Sequence, residues 1–119
     1  MTDTAADTVW MSQDNIQLLV EAIRREYDQP TLRKVLHEHF EQAMVLRDNP
    51  HITHNNLRFT GRELRFYTAL ETGMVFRQVA RRLGRDDNDY LTLLQVVFAL
   101  QQTELLDFRA PSATRDFDV

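Results

Sequence analysis

The chain has 119 residues, of which 43% are hydrophobic and 27% charged, and its formal net charge at pH 7 is −4. This length suits one domain that is large enough to bury a core. The acidic balance argues against a protein that holds nucleic acid or an anionic membrane mainly by electrostatic attraction. The absence of cysteine excludes disulfides, thiolate metal sites and a cysteine nucleophile, and it fits the cytoplasm best.

The N-terminal segment predicts no targeting signal. Residues 1–13 lack the basic start and the apolar centre of a signal peptide, and no apolar run approaches the roughly 20 residues that a bilayer span requires. We therefore expect a cytoplasmic protein with no membrane partner, in which residues 1–12 form a flexible tail. Trp10 could instead pack on the first helix, and both readings stay open.

Two amphipathic helices are predicted at the start of the domain, which we place at residues 13–108. Ser12 or Asp14 can cap the first helix, and its apolar stripe is Ile16, Leu19, Val20, Ile23 and Tyr27. Pro30 ends this helix and suits the first turn of the next one, whose stripe is Leu32, Val35, Leu36 and Phe40. The two stripes predict an antiparallel helical pair that packs on the later core.

A short β excursion is predicted next. Met44-Val45-Leu46 and Leu57-Arg58-Phe59 have β character and flank the turn signal Asn49-Pro50. These runs predict a hairpin-like excursion over residues 43–59, although its polar tip at residues 48–56 could equally be a loop.

Residues 60–108 have the pattern of a winged-helix or helix-turn-helix unit. Thr60 and Glu63 have the spacing of a capping box at a helix start, and Gly73 can end that helix. A second short helix ends at Gly84, and a third runs from about Asp87 to Gln102, after acidic residues that suit a helix N-terminus. A short apolar strand that could pair with residues 74–76 then follows (Leu105, Leu106 and Phe108).

The predicted fold is thus mainly α: a winged-helix-like domain with an N-terminal helical pair and a short β excursion, followed by a flexible tail at residues 109–119. The third helix is apolar on more than one face, so it is either central to its domain or buried in an interface. The second possibility predicts a homodimer formed through Tyr90, Leu93, Val97 and Leu100.

Arginines mark the candidate partner-binding site, which consists of Arg77, Arg81, Arg82 and Arg85. In a DNA-binding helix-turn-helix, the second helix of the motif enters the major groove with basic or amide side chains in its first turns. Here that helix begins with acidic residues, and no Arg or Lys occurs between Arg85 and Arg109. The pattern therefore favours docking of an acidic protein partner, or simply a solvated face, over a DNA-binding regulator of winged-helix type.

The sequence predicts no catalytic, metal or cofactor site. His37 and His39 would point in different directions on a helix, and His51 and His54 have no cysteine near them. Most acidic residues either cap predicted helices or lie on polar faces. No phosphate-binding loop, nucleophile elbow or H-E-x-x-H motif occurs, so we expect a protein that is not an enzyme.

Four runs of the sequence carry a family resemblance: NIQLLVEAIRREYDQPTLRKVL, VLRDNP, LRFTGRELRFYTALETG and FRQVARRLGRDDNDYLTLLQVVFALQQTELLDF. Together they resemble the helical and winged-helix-like region that follows the PATAN (PatA N-terminal-like) module of bacterial signalling proteins. The resemblance covers roughly residues 15–108 and is based on the spacing of the pattern. It implies regulation through protein–protein contacts in bacterial signal transduction, and it implies no catalytic residues.

Overall fold

The computed structural model describes residues 12–110. The elements follow in the order α1 (Gln13–Glu26), α2 (Gln29–Leu36), a 3₁₀ helix (His37–His39), β1 (Ala43–Leu46), a second 3₁₀ helix (His54–Leu57), α3 (Gly61–Ala69), α4 (Phe76–Leu83), α5 (Asp87–Gln102) and β2 (Leu106–Arg109). This part of the chain is mainly helical and has a small antiparallel sheet of two strands. None of its helices is long and apolar enough to cross a membrane. Trp10 and residues 111–119, for which we predicted tails, lie outside the described residues.

Local side-chain chemistry sets the starts of the first two helices. The Ser12 hydroxyl accepts a hydrogen bond from the Asn15 N–H at 3.2 Å, so Ser12 and not Asp14 is the cap of α1. The Asp28 side chain caps α2 in the same way, and Pro30 lies in the first turn of that helix as predicted. Each cap satisfies a backbone N–H that has no partner within its helix.

The later helices begin in the same manner. Thr60 and Glu63 form the predicted capping box: the Glu63 N–H donates to the Thr60 hydroxyl at 3.2 Å, and the Thr60 N–H donates to Glu63 Oε1 at 2.9 Å. Asp86 caps α5 by accepting from the Asp89 N–H at 2.8 Å. The bounds of α5 match the predicted third helix.

Helix α5 lies at the centre of the fold, because α1, α2, α3, α4 and β2 all pack against it. Its buried residues point in several directions and meet different neighbours: Leu93, Leu94, Val96, Val97, Phe98, Ala99 and Leu100. This position explains why the helix is apolar on more than one face.

The residues predicted for self-association occupy this core. Leu93, Val97 and Leu100 are each 0% exposed, and only Tyr90 is partly accessible. A second copy of the chain could not contact the three buried side chains while the domain keeps its fold. The central position of the helix accounts for its apolar faces, and of the four residues predicted for self-association only Tyr90 is accessible to a second copy.

The sheet is paired differently from our prediction. β2 pairs with β1 in antiparallel register, with Ala43 opposite Arg109, and not with residues 74–76. The latter segment lies on the other edge of β1, where Val75 forms an isolated bridge with Ala43. β2 also includes Arg109, one residue beyond the predicted end of the domain.

The predicted hairpin over residues 43–59 is wrong, because its second strand does not form. Residues 54–57 form a 3₁₀ helix, and Arg58 follows in the left-handed region with φ 52°. The Thr53 N–H donates to the Asn56 side chain at 2.8 Å, and this local bond competes with an extended backbone. The turn also carries Leu57 into the core, where it is fully buried.

Candidate functional site

The buried carboxylate in the described part of the chain, Glu63, has a structural environment. Arg24 donates two hydrogen bonds to it, from Nε to Oε2 at 2.9 Å and from Nη2 to Oε1 at 2.7 Å. Burial alone would raise the pKa of the Glu63 carboxyl, but the bonds and charge of Arg24 and the bonds from Thr60 outweigh burial, so its pKa lies below its usual value. This pair joins α1 to the start of α3, and its carboxylate is fully engaged.

A groove of about 730 Å³ lies between α4 and the segment formed by the first 3₁₀ helix and the residues just after it. We call it the aromatic groove. Its apolar lining comes from Phe40, Ala80 and Tyr90. Its rim is charged, with Arg77, Arg81 and Arg85 from α4 and its end, and with Glu38, Glu41, Asp86 and Asp87. An apolar floor within a polar rim is the usual composition of a protein or ligand binding surface.

The four predicted partner-binding arginines do not share one surface. Arg77, Arg81 and Arg85 are four residues apart, so they follow one side of α4 and its end, and all three line the aromatic groove. Arg82 points elsewhere. It lines a second concave surface with Arg65 and Arg85, so Arg85 contributes to both.

The arginines of the groove also differ in their partners. Arg77 Nε donates to Glu41 Oε2 at 2.7 Å, and the hydrogen bond and charge of Glu41 raise the pKa of Arg77. Within residues 12–110, Arg81 and Arg85 make no ion pair with a carboxylate. These two guanidinium groups are the ones available to an acidic ligand.

Further positive charge lies beside the groove. Arg33 and Lys34 of α2 line an adjoining hollow that shares His37 and Phe40 with the aromatic groove. Burial raises the pKa of the half-buried Tyr90 phenol, and the nearby charge of Arg33 opposes this shift. The Tyr90 hydroxyl therefore keeps its proton at neutral pH and can donate a hydrogen bond at the floor of the groove.

A run of aromatic rings in contact connects the groove to the core. The ring of Phe40 lies 4.9 Å from that of Phe76, which in turn lies 5.5 Å from the ring of Phe108 in β2. The ring of His39 stacks on the ring of Phe108, with 4.3 Å between the ring centroids. The position of Phe40 is thus determined by packing that extends to the sheet.

His37, His39 and His54 each contact an aromatic ring. His37 meets Phe40 edge-on at 6.4 Å, and His54 stacks on Tyr67 at 4.5 Å. Since His39 packs on Phe108, the rings of His37 and His39 face different neighbours, as helical geometry predicted. Among residues 12–110 no three His, Asp or Glu side chains are grouped so that they could hold a metal ion.

The second concave surface, which we call the arginine hollow, has a volume of about 250 Å³ and is lined by Arg65, Phe66, Arg82, Leu83, Arg85 and Asp89. It lies between α3, α4 and the start of α5. Arg62 Nη2 donates to Asp89 Oδ1 at 2.6 Å, so the single carboxylate at this surface already has a cationic partner. The three arginines of the lining make no ion pair within the described range.

Sequence reasoning missed the apolar part of the groove. Phe40 was assigned to the stripe of the second helix, but α2 ends at Leu36, and the 3₁₀ helix that follows turns Phe40 toward α4. Neither Gly nor Pro marks this change, so the spacing gave no signal. The sequence pattern predicts Tyr90 at a dimer interface. In the structure Tyr90 lies in the first turn of α5, beside the end of α4, and this position depends on tertiary packing that the pattern does not contain.

Comparisons with protein-family models, with curated proteins and with solved structures found no match to this chain. The resemblance to the region after the PATAN module therefore stays a prediction. The proposed function rests on the geometry of the chain itself.

Proposed function

We propose that this chain is a non-catalytic protein–protein interaction domain of bacterial cytoplasmic signalling, and that it binds an acidic partner segment in the aromatic groove. The observation that carries the proposal is the position of Arg81 and Arg85, which make no ion pair within residues 12–110, beside an open apolar surface formed by Phe40, Ala80 and Tyr90. The signalling context and the cytoplasmic location come from the family resemblance and the cysteine-free sequence.

The composition of the groove indicates what the partner segment should contain. An aromatic or large aliphatic side chain would remove the exposed parts of Phe40 and Tyr90 from water, as anchor residues do in protein interfaces. Carboxylates next to that anchor would accept hydrogen bonds from Arg81 and Arg85, and guanidinium groups bind carboxylates with two parallel bonds. The Tyr90 hydroxyl could supply one further donor.

We also infer that residues 60–109 form a winged-helix-like unit. Three helices in succession followed by a strand support this interpretation, since that is the order in which such a unit is built. The strand that completes the wing would be β1, which precedes the unit in the chain.

The alternative function, a DNA-binding transcription regulator of winged-helix type, has less support. The helix that would read bases is α5, and seven of its residues are buried in the core. Its exposed start carries Asp87 and Asn88 after the cap Asp86, so carboxylates would face the phosphates of a duplex. Only backbone contacts by the arginines would remain, and such contacts do not read sequence.

Fluorescence anisotropy of the full chain with three matched labelled peptides tests the proposal. The first is acidic with one central Trp, the second has that Trp replaced by Ala, and the third has its acids replaced by Lys. We expect the first to bind most tightly, and its affinity to fall in Phe40→Ala and in Arg81→Glu. Arg25→Glu is the matched control, because Arg25 is exposed on α1 and lines neither surface.

A mixed pool of labelled duplex DNA provides the competing outcome. Tighter binding of DNA than of the acidic peptide, weakened by Arg81→Glu and falling steeply with added salt, would support the DNA-binding alternative. Equal affinity for all three peptides, or an affinity that Phe40→Ala and Arg81→Glu leave unchanged, would contradict docking in the groove.

A further inference from the structure

The arginine hollow is lined by arginines from α3, from α4 and from the segment just after α4. Arg65 belongs to α3, Arg82 to α4, and Arg85 follows the end of α4. All three side chains are exposed, and no carboxylate within residues 12–110 pairs with them. Asp89 is the one acid of the lining, and Arg62 already holds it at 2.6 Å.

The hollow concentrates positive charge in a chain that is acidic as a whole. Acidic side chains outnumber basic ones by 18 to 14. Five arginines of the described range have carboxylate partners, namely Arg24, Arg47, Arg62, Arg77 and Arg109, and the three of the hollow are among those that have none. Three like charges around one small hollow repel one another, even though solvent screens much of that repulsion. An anion bound between them would remove this repulsion.

We propose that the arginine hollow binds a phosphoryl group carried on a side chain of a partner protein. A phosphoryl group has up to two negative charges and three acceptor oxygens, which suits a hollow lined by three guanidinium groups. Phe66 and Leu83 supply the apolar part of the lining. This surface is separate from the aromatic groove except for Arg85.

The surroundings of the hollow favour one isolated phosphoryl group over a nucleic-acid backbone. Asp86 and Asp87 lie at the start of α5 next to Asp89, and a backbone with regularly spaced phosphates would have to pass close to these carboxylates. A phosphorylated side chain presents one compact dianion, which would meet only Asp89 among these acids, and Arg62 already neutralises that carboxylate.

The test is a calorimetric titration of the full chain with four probes: inorganic phosphate, a neutral peptide with one phosphoserine, the same peptide with unmodified serine, and a mixed DNA duplex. We expect the phosphoserine peptide to bind at least about tenfold more tightly than its unmodified form, since hydrogen bonds to a charged acceptor are stronger than those to a neutral one. Excess inorganic phosphate should compete with it.

The variants assign the binding to the hollow. Arg65→Gln combined with Arg82→Gln should lose about tenfold or more in affinity for the phosphoserine peptide, whereas Arg25→Gln and Phe40→Ala should leave it unchanged. Phe40→Ala also separates this proposal from docking in the aromatic groove, because it should reduce only the binding of the acidic Trp peptide.

Three results would overturn the proposal. The first is equal binding of the phosphorylated and unmodified peptides, or binding that the double variant does not change. The second is tighter binding of the duplex, lost in the double variant, which would make the hollow a nucleic-acid contact. The third is binding of inorganic phosphate without binding of the peptide, which would leave a site for a free anion only.

Discussion

The ring of Tyr90 packs directly on the backbone of Gly84. A Cβ atom added to Gly84 would lie 2.8 Å from Cδ1 of Tyr90 and 2.8 Å from the carbonyl oxygen of Ala80, both too close for van der Waals contact. The absence of a side chain at this position therefore sets how closely the first turn of α5 approaches the end of α4, and with it the floor of the aromatic groove.

Replacement of Gly84 by Ala should destabilise the domain. The new methyl group must push away a ring and a backbone carbonyl, and insertion of an extra carbon into a close contact costs about 1–3 kcal/mol. Chemical denaturation measures the change in the free energy of unfolding. Gly61→Ala is the matched control, because a Cβ there meets nothing within 4 Å, and a stability of Gly84→Ala equal to that of this control would refute the packing argument.

The pair between Arg24 and Glu63 predicts a pH dependence of stability. The pKa of Glu63 is lower in the folded chain than in the unfolded one, so its ionised form stabilises the fold. This contribution is fully present above the unfolded pKa of about 4.3 and is lost as the pH falls through the lower folded value. Denaturation at a series of acidic pH values should show this loss.

Replacement of Glu63 by Gln checks the assignment of that pH dependence. At neutral pH we expect a loss of about 1.5–3 kcal/mol, because the hydrogen bonds of Arg24 lose a charged acceptor. The variant should also show a shallower fall in stability as the pH is lowered below about 4.3. A pH profile parallel to that of the original chain would mean that other carboxylates cause the acid sensitivity.

The central position of α5 predicts how its residues respond to truncation. Leu93→Ala should cost about 2–5 kcal/mol, and the loss should be independent of protein concentration, since Leu93 is buried within one chain. Stability of an obligate dimer would instead rise with concentration. A midpoint of unfolding that shifts with protein concentration would restore self-association as an explanation for this helix.

The two groove arginines Arg77 and Arg81 should differ in their effect on binding. Arg77 is already paired with Glu41 at 2.7 Å, whereas Arg81 has no such partner among the described residues. Exchange of Arg81 for Gln should therefore weaken binding of the acidic Trp peptide more than exchange of Arg77. Anisotropy titrations of both variants side by side compare them, and a larger loss in Arg77→Gln would reverse the assigned roles.

The parts of the fold that depend on local chemistry were predictable from sequence. The capping box of Thr60 and Glu63 and the bounds of α5 follow from side chains within one or two turns, so a single stretch of sequence contains all the necessary information. The strand predicted at residues 57–59 does not form, and the cause is local as well. The hydrogen bond from the Thr53 N–H to the Asn56 side chain favours a turn over a strand.

The remainder depends on contacts between distant residues. The apolar residues of α5 would look the same in a core and in an interface, because both remove them from water. The pairing of β2 with β1 joins residues that are 60 to 66 positions apart. Helical geometry alone predicts that Arg82 lies on a different side of α4 from Arg77 and Arg81. That Arg82 lies beside Arg65 depends on the packing of α4 against α3 and α5.

The dependence of every other helix on α5 has a consequence for how the domain comes apart. Since α1, α2, α3 and α4 each pack on the same helix, loss of α5 would leave none of them with a core of its own. Partial unfolding that spares a stable remnant is therefore disfavoured, and the most slowly exchanging backbone amides of all five helices should converge on one common free energy of opening.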